Sequence, residues 1–132
     1  MWYPKRVLLI DDDEDDCFIF GSVINELGKG IDFFYDCDSE RALKSLADIT
    51  LPVPDLLFLD WNMPRKNGKE CLAVLRKLPQ CATLPIIIIS TSTALRDREA
   101  ARRLGASYFI SKPSTFSELQ KLLEHILSLP WN

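Results

Sequence analysis

The hydrophobic residues of this chain gather in five short runs, and stretches with helical spacing of apolar residues lie between them. Short apolar runs that are bounded by turn residues are typical of strands buried on both faces of a parallel sheet. The five predicted strands are residues 5–10, 31–35, 56–59, 85–89 and 108–110. The pattern therefore predicts an α/β protein.

A helical stretch follows each predicted strand. The predicted helices are residues 15–27, 39–49, 69–78 and 94–104, with a fifth that follows Pro113. Regular alternation of strand and helix requires right-handed crossovers, which place helices on both faces of the sheet. Five strands fit the doubly wound order 2-1-3-4-5, in which the second strand lies at an edge.

Four of the predicted strands end in side chains that can do chemistry. Asp11 and Asp12 follow the first strand, and Asp60 follows the third. Ser90 follows the fourth strand, and Lys112 comes shortly after the fifth. These four strands are neighbours in the predicted order, and sheets of this kind bind ligands at the carboxyl ends of their strands. We therefore expect the five side chains to converge on one edge.

Such a cluster is suited to a divalent cation and a phosphoryl group. Carboxylates packed together repel one another unless a cation neutralises them, and a site with few carboxylates and several waters is typical of Mg²⁺. Asp60 stands alone on the central strand, between the acidic pair and the Ser90 side. We therefore predict that Asp60 attacks phosphorus, with Lys112 and the cation stabilising the charge. Strand alternation leaves open which of Asp11 and Asp12 binds the metal directly and which binds it through water.

The composition fits one globular domain. The chain has 132 residues and a formal net charge of -3, so it is long enough for one packed core and is not suited to binding a polyanion. No apolar run approaches the ~18 residues of a membrane span, and residues 1–6 do not form a signal-peptide core. We expect a cytoplasmic protein that binds neither nucleic acid nor membranes directly.

Four ordered segments of this chain resemble the receiver domain of bacterial two-component response regulators, close to the stand-alone chemotaxis (CheY-like) type. The segments are LLIDDDED, LLFLDWNMPRKNG, PIIIISTS and YFISKP. The resemblance extends over essentially the whole chain. It implies a flavodoxin-like fold and a single receiver domain over residues 1–132, without an output domain.

The resemblance also implies the ligands of the cation and the phosphoacceptor. By its motif, Asp60 accepts the phosphoryl group as an aspartyl phosphate, and Asp11 and Asp12 form the acidic pair. Asp12 would contact Mg²⁺, and the main-chain carbonyl of Asn62 would be a further ligand beside Asp60.

The same resemblance implies the residues that respond to phosphorylation. Ser90 would hydrogen-bond the phosphoryl group, and Lys112 would contact it. Phe109 matches the aromatic switch residue of the fifth strand, and the Lys112–Pro113 peptide bond matches one that is cis in the family. Because a phenylalanine ring has no hydroxyl group, we expect this switch to depend on packing alone.

The implied function is a phosphorylation-dependent signalling switch rather than an enzyme with an external substrate. The phosphoryl group would come from a sensor histidine kinase or a histidine phosphotransfer protein. Phosphorylation would change the surface formed by helix 4, strand 5 and helix 5, where an unidentified downstream protein binds.

Two alternatives belong to other functional classes. A haloacid dehalogenase-like phosphatase would use Asp11 as its nucleophile, but it requires an acidic pair after a further strand beyond the lysine. A receiver-like scaffold that is never phosphorylated would have the same fold. A flavodoxin-like cofactor binder is disfavoured, because acids at the end of the first strand repel a phosphate.

Several other acidic residues are expected to have structural roles. Asp13, Asp15 and Asp16 favour the start of the first helix, and Asp36 and Asp38 fit a surface turn or a helix cap. The arginines of the fourth helix are interpreted as a solvated face, with docking of an acidic partner as the alternative. They are Arg96, Arg98, Arg102 and Arg103.

The cysteines, the histidine and the terminal tryptophans are not assigned to the site. The four cysteines lack metal-binding spacing, so we expect mostly buried free thiols. They are Cys17, Cys37, Cys71 and Cys81. His125 is expected to be a partly exposed spectator, Trp2 and Trp131 to pack the termini, and Trp61 to lie next to the site as a possible fluorescent reporter.

Overall fold

Five parallel strands form one sheet in a computed structural model of the chain, which describes residues 3–131. The expectation for Trp2 lies outside the described residues. The strand order is 2-1-3-4-5, as predicted. The strands are β1 (Arg6–Ile10), β2 (Asp32–Asp36), β3 (Leu56–Asp60), β4 (Ile86–Ser90) and β5 (Tyr108–Ser111).

Each strand precedes a helix, so the predicted alternation is confirmed. The helices are α1 (Glu14–Leu27), α2 (Ser39–Asp48), α3 (Gly68–Lys77), α4 (Leu95–Arg103) and α5 (Phe116–Leu127). A short 3₁₀ helix (Pro79–Cys81) follows α3. The sequence did not predict it, because three residues are too few to show a periodic pattern. Within residues 3–131, no helix is both long and apolar enough to span a membrane.

The sheet has an apolar layer on each face. Alternate side chains of the central strands point to opposite faces, so Leu57 and Leu59 pack with α2, α3 and α4. Leu56 and Phe58 pack on the other face with α1 and α5. All five residues of β3 and of β4 are buried, which fixes the positions of the side chains at the ends of these strands.

Side-chain caps set the starts of the helices that flank the site. Asp13 accepts hydrogen bonds from the backbone N–H groups of Asp15 and Asp16, and Asp38 accepts one from Arg41. Such caps satisfy N–H groups that have no partner within the helix. The structural roles predicted for Asp13 and Asp38 are confirmed. Asp36 is more than a surface turn residue, because it is buried and pairs with Arg41 at 2.6 Å.

The expected cis peptide bond is absent. No cis bond occurs within residues 3–131, so the Lys112–Pro113 bond is trans and the expectation from the resemblance is wrong. The trans form of an X–Pro bond is lower in free energy by about 0.5–1 kcal/mol when no tertiary contact favours cis.

Candidate functional site

Three carboxylates meet at the carboxyl edge of the sheet, as the sequence predicts. Asp11, Asp12 and Asp60 each offer an oxygen atom, and these oxygens lie within 4.8 Å of one another. The cluster forms because β1 and β3 are paired in parallel, with Ile10 beside Leu59. Asp11 and Asp60 are only 2% and 4% exposed, whereas Asp12 is exposed to solvent.

Burial and mutual repulsion make the two buried carboxyl groups hard to ionise. Burial, together with the charge of Asp11, raises the pKa of Asp60 to about 7, although Lys112 and the Asn62 N–H oppose the shift. Burial also raises the pKa of Asp11, against the Asp13 N–H and Lys112. A hard cation would remove the repulsion and favour both ionised forms. The donor set therefore fits Mg²⁺.

Asn62 connects the end of β3 to β4 through hydrogen bonds. Its backbone N–H donates to Asp60 Oδ1 at 3.2 Å, and its side-chain Oδ1 accepts from Ser90 Oγ at 3.0 Å. The same Oδ1 also accepts from the N–H and hydroxyl groups of Thr91. The sequence analysis considered only the carbonyl group of Asn62. The side-chain role was missed because it depends on a contact between residues that lie far apart in the chain.

Gly68 is a further residue that the sequence analysis missed. A Cβ atom at Gly68 would lie 2.5 Å from the Asp60 carbonyl oxygen and 2.6 Å from Trp61 Cα. The Gly68 N–H also donates to the Trp61 carbonyl at 3.2 Å. Only glycine lets the start of α3 approach the end of β3 so closely. The glycine in the segment RKNG is the signal in the sequence for such a close approach.

Lys112 reaches the site but does not pair directly with Asp60. Its Nζ lies 2.6 Å from Asp16 Oδ2 and 3.3 Å from Asp11 Oδ2. Burial lowers the pKa of Lys112, but the hydrogen bond to Asp16 and the charges of Asp11 and Asp60 outweigh it, so its pKa is raised. Asp16 is therefore more than a residue of the helix start. Asp16 lies four residues before the buried Phe20. Because residues four apart are neighbours on a helix surface, this spacing indicates that Asp16 lies near the core-facing side of α1.

Ser90 and Phe109 lie on the neighbouring strands β4 and β5. Ser90 is fully buried. Phe109 is half-buried, and its ring packs edge to face against Trp61 with centroids 6.1 Å apart. The guanidinium group of Arg98 lies 5.0 Å from the centre of the same ring. The interpretation of Arg98 as part of a solvated face is therefore incomplete, since it makes a cation–π contact with Phe109.

The residues left outside the site keep structural roles. Cys17, Cys71 and Cys81 are buried free thiols, and Cys37 is half-buried. His125 is exposed on α5. Beyond β5, residues 112–131 contain α5 and no further strand, so none of these residues forms the strand-borne acidic pair that a haloacid dehalogenase-like phosphatase uses.

Comparison with known proteins agrees with this arrangement. The family model for the response regulator receiver domain matches residues 7–124. The response regulator Rcp1 of Synechocystis sp. is 26% identical over 129 residues, which cover 95% of this chain and 88% of Rcp1. The transcriptional regulatory protein CpxR of Escherichia coli is 34% identical over 125 residues. That match covers 93% of this chain, and the chain spans only 49% of CpxR.

Solved structures have the same fold. The Mn²⁺-bound form of Rcp1 has a TM-score of 0.86 at 24% identity and covers 96% of this chain and 97% of that structure. The phosphorylated cyanobacterial phytochrome response regulator RcpA has a TM-score of 0.85 at 25% identity. The match covers 92% of this chain and 90% of that structure. Because the family model matches most of the chain, the protein belongs to the response regulator receiver domain family of two-component signalling.

Proposed function

We propose that this receiver domain is a switch that accepts a phosphoryl group on Asp60. The observation that carries the proposal is the position of Asp60. It is a buried carboxyl group at the end of a central strand, with the acidic pair on one side and Ser90 on the other. The donor would be a phosphohistidine of a sensor histidine kinase or of a histidine phosphotransfer protein. The protein would catalyse only its own phosphorylation and dephosphorylation.

The proposed metal ligands are the three clustered carboxylates and one carbonyl group. Asp11, Asp12, Asp60 and the main-chain carbonyl of Asn62 would hold Mg²⁺. Their support is the 4.8 Å cluster of carboxylate oxygens and the similarity to Rcp1, of which a Mn²⁺-bound form is known. When bound, the cation neutralises the carboxylates and the charge that develops on the phosphoryl oxygens.

The proposed transfer is a displacement at phosphorus. A carboxylate oxygen of ionised Asp60 forms the new O–P bond, and the P–N bond to the histidine breaks. The electron pair of that bond goes to the imidazole nitrogen. Lys112 would stabilise the negative phosphoryl oxygens, because its ammonium group is charged at neutral pH, and the neighbouring carboxylates raise its pKa further. The product is an acyl phosphate at the buried carboxyl end of β3.

The proposed response starts from the hydrogen bonds of Ser90. An aspartyl phosphate adds up to about two negative charges and three acceptor oxygens, to which the Ser90 hydroxyl can rotate from Asn62. Phe109 would then move inward, away from Arg98, and the surface formed by α4, β5 and α5 would change. This is a two-state switch biased by a local charge.

Phosphorylation can be tested with a small donor. The protein is incubated with Mg²⁺ and acetyl phosphate, from which acetate leaves, and its intact mass is measured. We expect one labile phosphoryl group on the wild-type protein and none on Asp60→Asn. Labelling of the Asp60→Asn variant would show that another residue is the nucleophile. If neither small donors nor a cognate kinase label a folded wild-type protein, the scaffold alternative is correct.

A further inference from the structure

Lys112 is held by α1 in this structure. The distance from its Nζ to Asp16 Oδ2 is 2.6 Å, shorter than the 3.3 Å to Asp11 Oδ2. The side chains of Lys112 and Asp16 are 25% and 36% exposed. The ammonium group is therefore partly exposed, and its shortest ionic contact is with α1 rather than with the proposed phosphoacceptor Asp60.

Both ends of this ion pair are fixed to the framework through their main chains. The Asp16 N–H donates to Asp13 Oδ1 at 3.2 Å in the capped first turn of α1. The Lys112 N–H donates to the Ser90 carbonyl at 2.8 Å. Any movement of the ammonium group between Asp16 and Asp60 is therefore a rotation of the lysine side chain.

The ammonium group contacts Asp16 and Asp11 and makes no ion pair with Asp60 in this structure. A phosphoryl group on Asp60 offers three charged oxygens close to Asp11, which Lys112 already touches. We expect the Nζ atom to leave Asp16 when it reaches these oxygens, because Lys112 makes no ion pair with Asp60 while it contacts Asp16. Because the pair is partly exposed, solvent screens it and the exchange costs little.

We propose that Asp16 is a positioning residue that holds Lys112 away from Asp60, so that phosphoryl transfer requires this ion pair to open. The proposal rests on the phosphorylation of Asp60 proposed above. It gives Asp16 a regulatory effect: the pair stabilises the unphosphorylated state and slows the loading of the phosphoryl group.

The test compares Asp16→Asn with Asp15→Asn. Both substitutions remove one negative charge from the first turn of α1, but of these two residues Asp16 pairs with Lys112 and Asp15 does not. With acetyl phosphate and saturating Mg²⁺, we expect Asp16→Asn to be labelled about two- to fivefold faster than Asp15→Asn, as for the loss of one partly exposed ion pair. Asp16→Glu should restore the slower rate.

A double-mutant cycle separates positioning from a general structural effect. In the background of Lys112→Met, which is itself labelled slowly, Asp16→Asn should no longer change the rate, because the proposed coupling passes through the ammonium group. An equal effect in both backgrounds would overturn the proposal. So would an Asp16→Asn rate that equals or falls below that of Asp15→Asn. These outcomes leave phosphorylation of Asp60 intact, whereas absence of wild-type labelling would remove both proposals.

Discussion

At the scale of single residues, Asp60 combines burial with a nearby negative charge. Its pKa is raised to about 7, first by burial and then by Asp11. Between pH 4 and 7, the folded state therefore keeps a proton that the unfolded chain has already released. In the absence of metal, the free energy of unfolding should therefore fall as the pH rises from 4 to 7. The decrease should be complete above pH 7.

Asp60→Asn removes this destabilising ionisation. In EDTA at pH 8, we expect the variant to exceed the wild-type protein in free energy of unfolding by on the order of 1 to 3 kcal/mol. The difference should become small below pH 3.8, the ordinary pKa of an Asp carboxyl group, where Asp60 is protonated in both the folded and the unfolded state. Urea unfolding at the two pH values measures it. An equal difference at both pH values would show that ionisation of Asp60 is not the cause.

The sequence predicted the residues of the site better than their contacts. Asp11, Asp12 and Asp60 follow from the ends of apolar runs, because parallel strands bring these ends together. The pairing of Lys112 with Asp16 and the bond from Ser90 to Asn62 could not be predicted. These contacts depend on the conformations of side chains that belong to different helices, strands and loops. The order of the strands does not determine those conformations.

At the scale of elements, the first turn of α1 supports the site through its cap. We expect Asp13→Ala to lower the free energy of unfolding by about 1 kcal/mol, because two backbone N–H groups lose their acceptor. Asp13→Ser keeps a capping oxygen and is the matched control. Urea unfolding gives the stability.

The same variants test whether Asp13 is a metal ligand. We expect the Mg²⁺ affinity of Asp13→Ser, followed by the fluorescence of Trp61, to stay within about threefold of the wild-type value, since only screened long-range charge is lost. A loss of binding similar to that of Asp12→Asn would make Asp13 a ligand. Equal stability of Asp13→Ala and Asp13→Ser would remove its capping role.

The elements themselves were largely predictable from apolar periodicity. All five strands and all five helices were expected, with differences of one or two residues at most ends. β3 and β4 extend to include Asp60 and Ser90, because these polar residues still pair with neighbouring strands. The geometry of the Lys112–Pro113 bond was taken from the resemblance, and the structure corrects it.

At the scale of the whole molecule, the fold brings together acids that repel one another. A cation that binds only the folded state stabilises it by about 2.7 kcal/mol at a concentration of 100 times its Kd. We therefore expect MgCl₂ to raise the thermal unfolding temperature relative to EDTA, with KCl at matched ionic strength as the control.

Asp12→Asn gives the matched comparison for this effect. Asp12 is exposed, so its substitution should change the stability of the metal-free protein by less than about 0.5 kcal/mol. The stabilisation by Mg²⁺ should be largely lost. An undiminished Mg²⁺ effect in this variant would remove Asp12 from the proposed ligands.

The most direct test of the account identifies the residue that carries the phosphoryl group. The protein is treated with acetyl phosphate and Mg²⁺ and then with borohydride, which reduces an aspartyl phosphate to homoserine, and its peptides are sequenced by mass spectrometry. We expect homoserine at position 60 and at no other acidic position. Homoserine at position 11 would contradict this prediction. So would the absence of homoserine from a protein that carries phosphate.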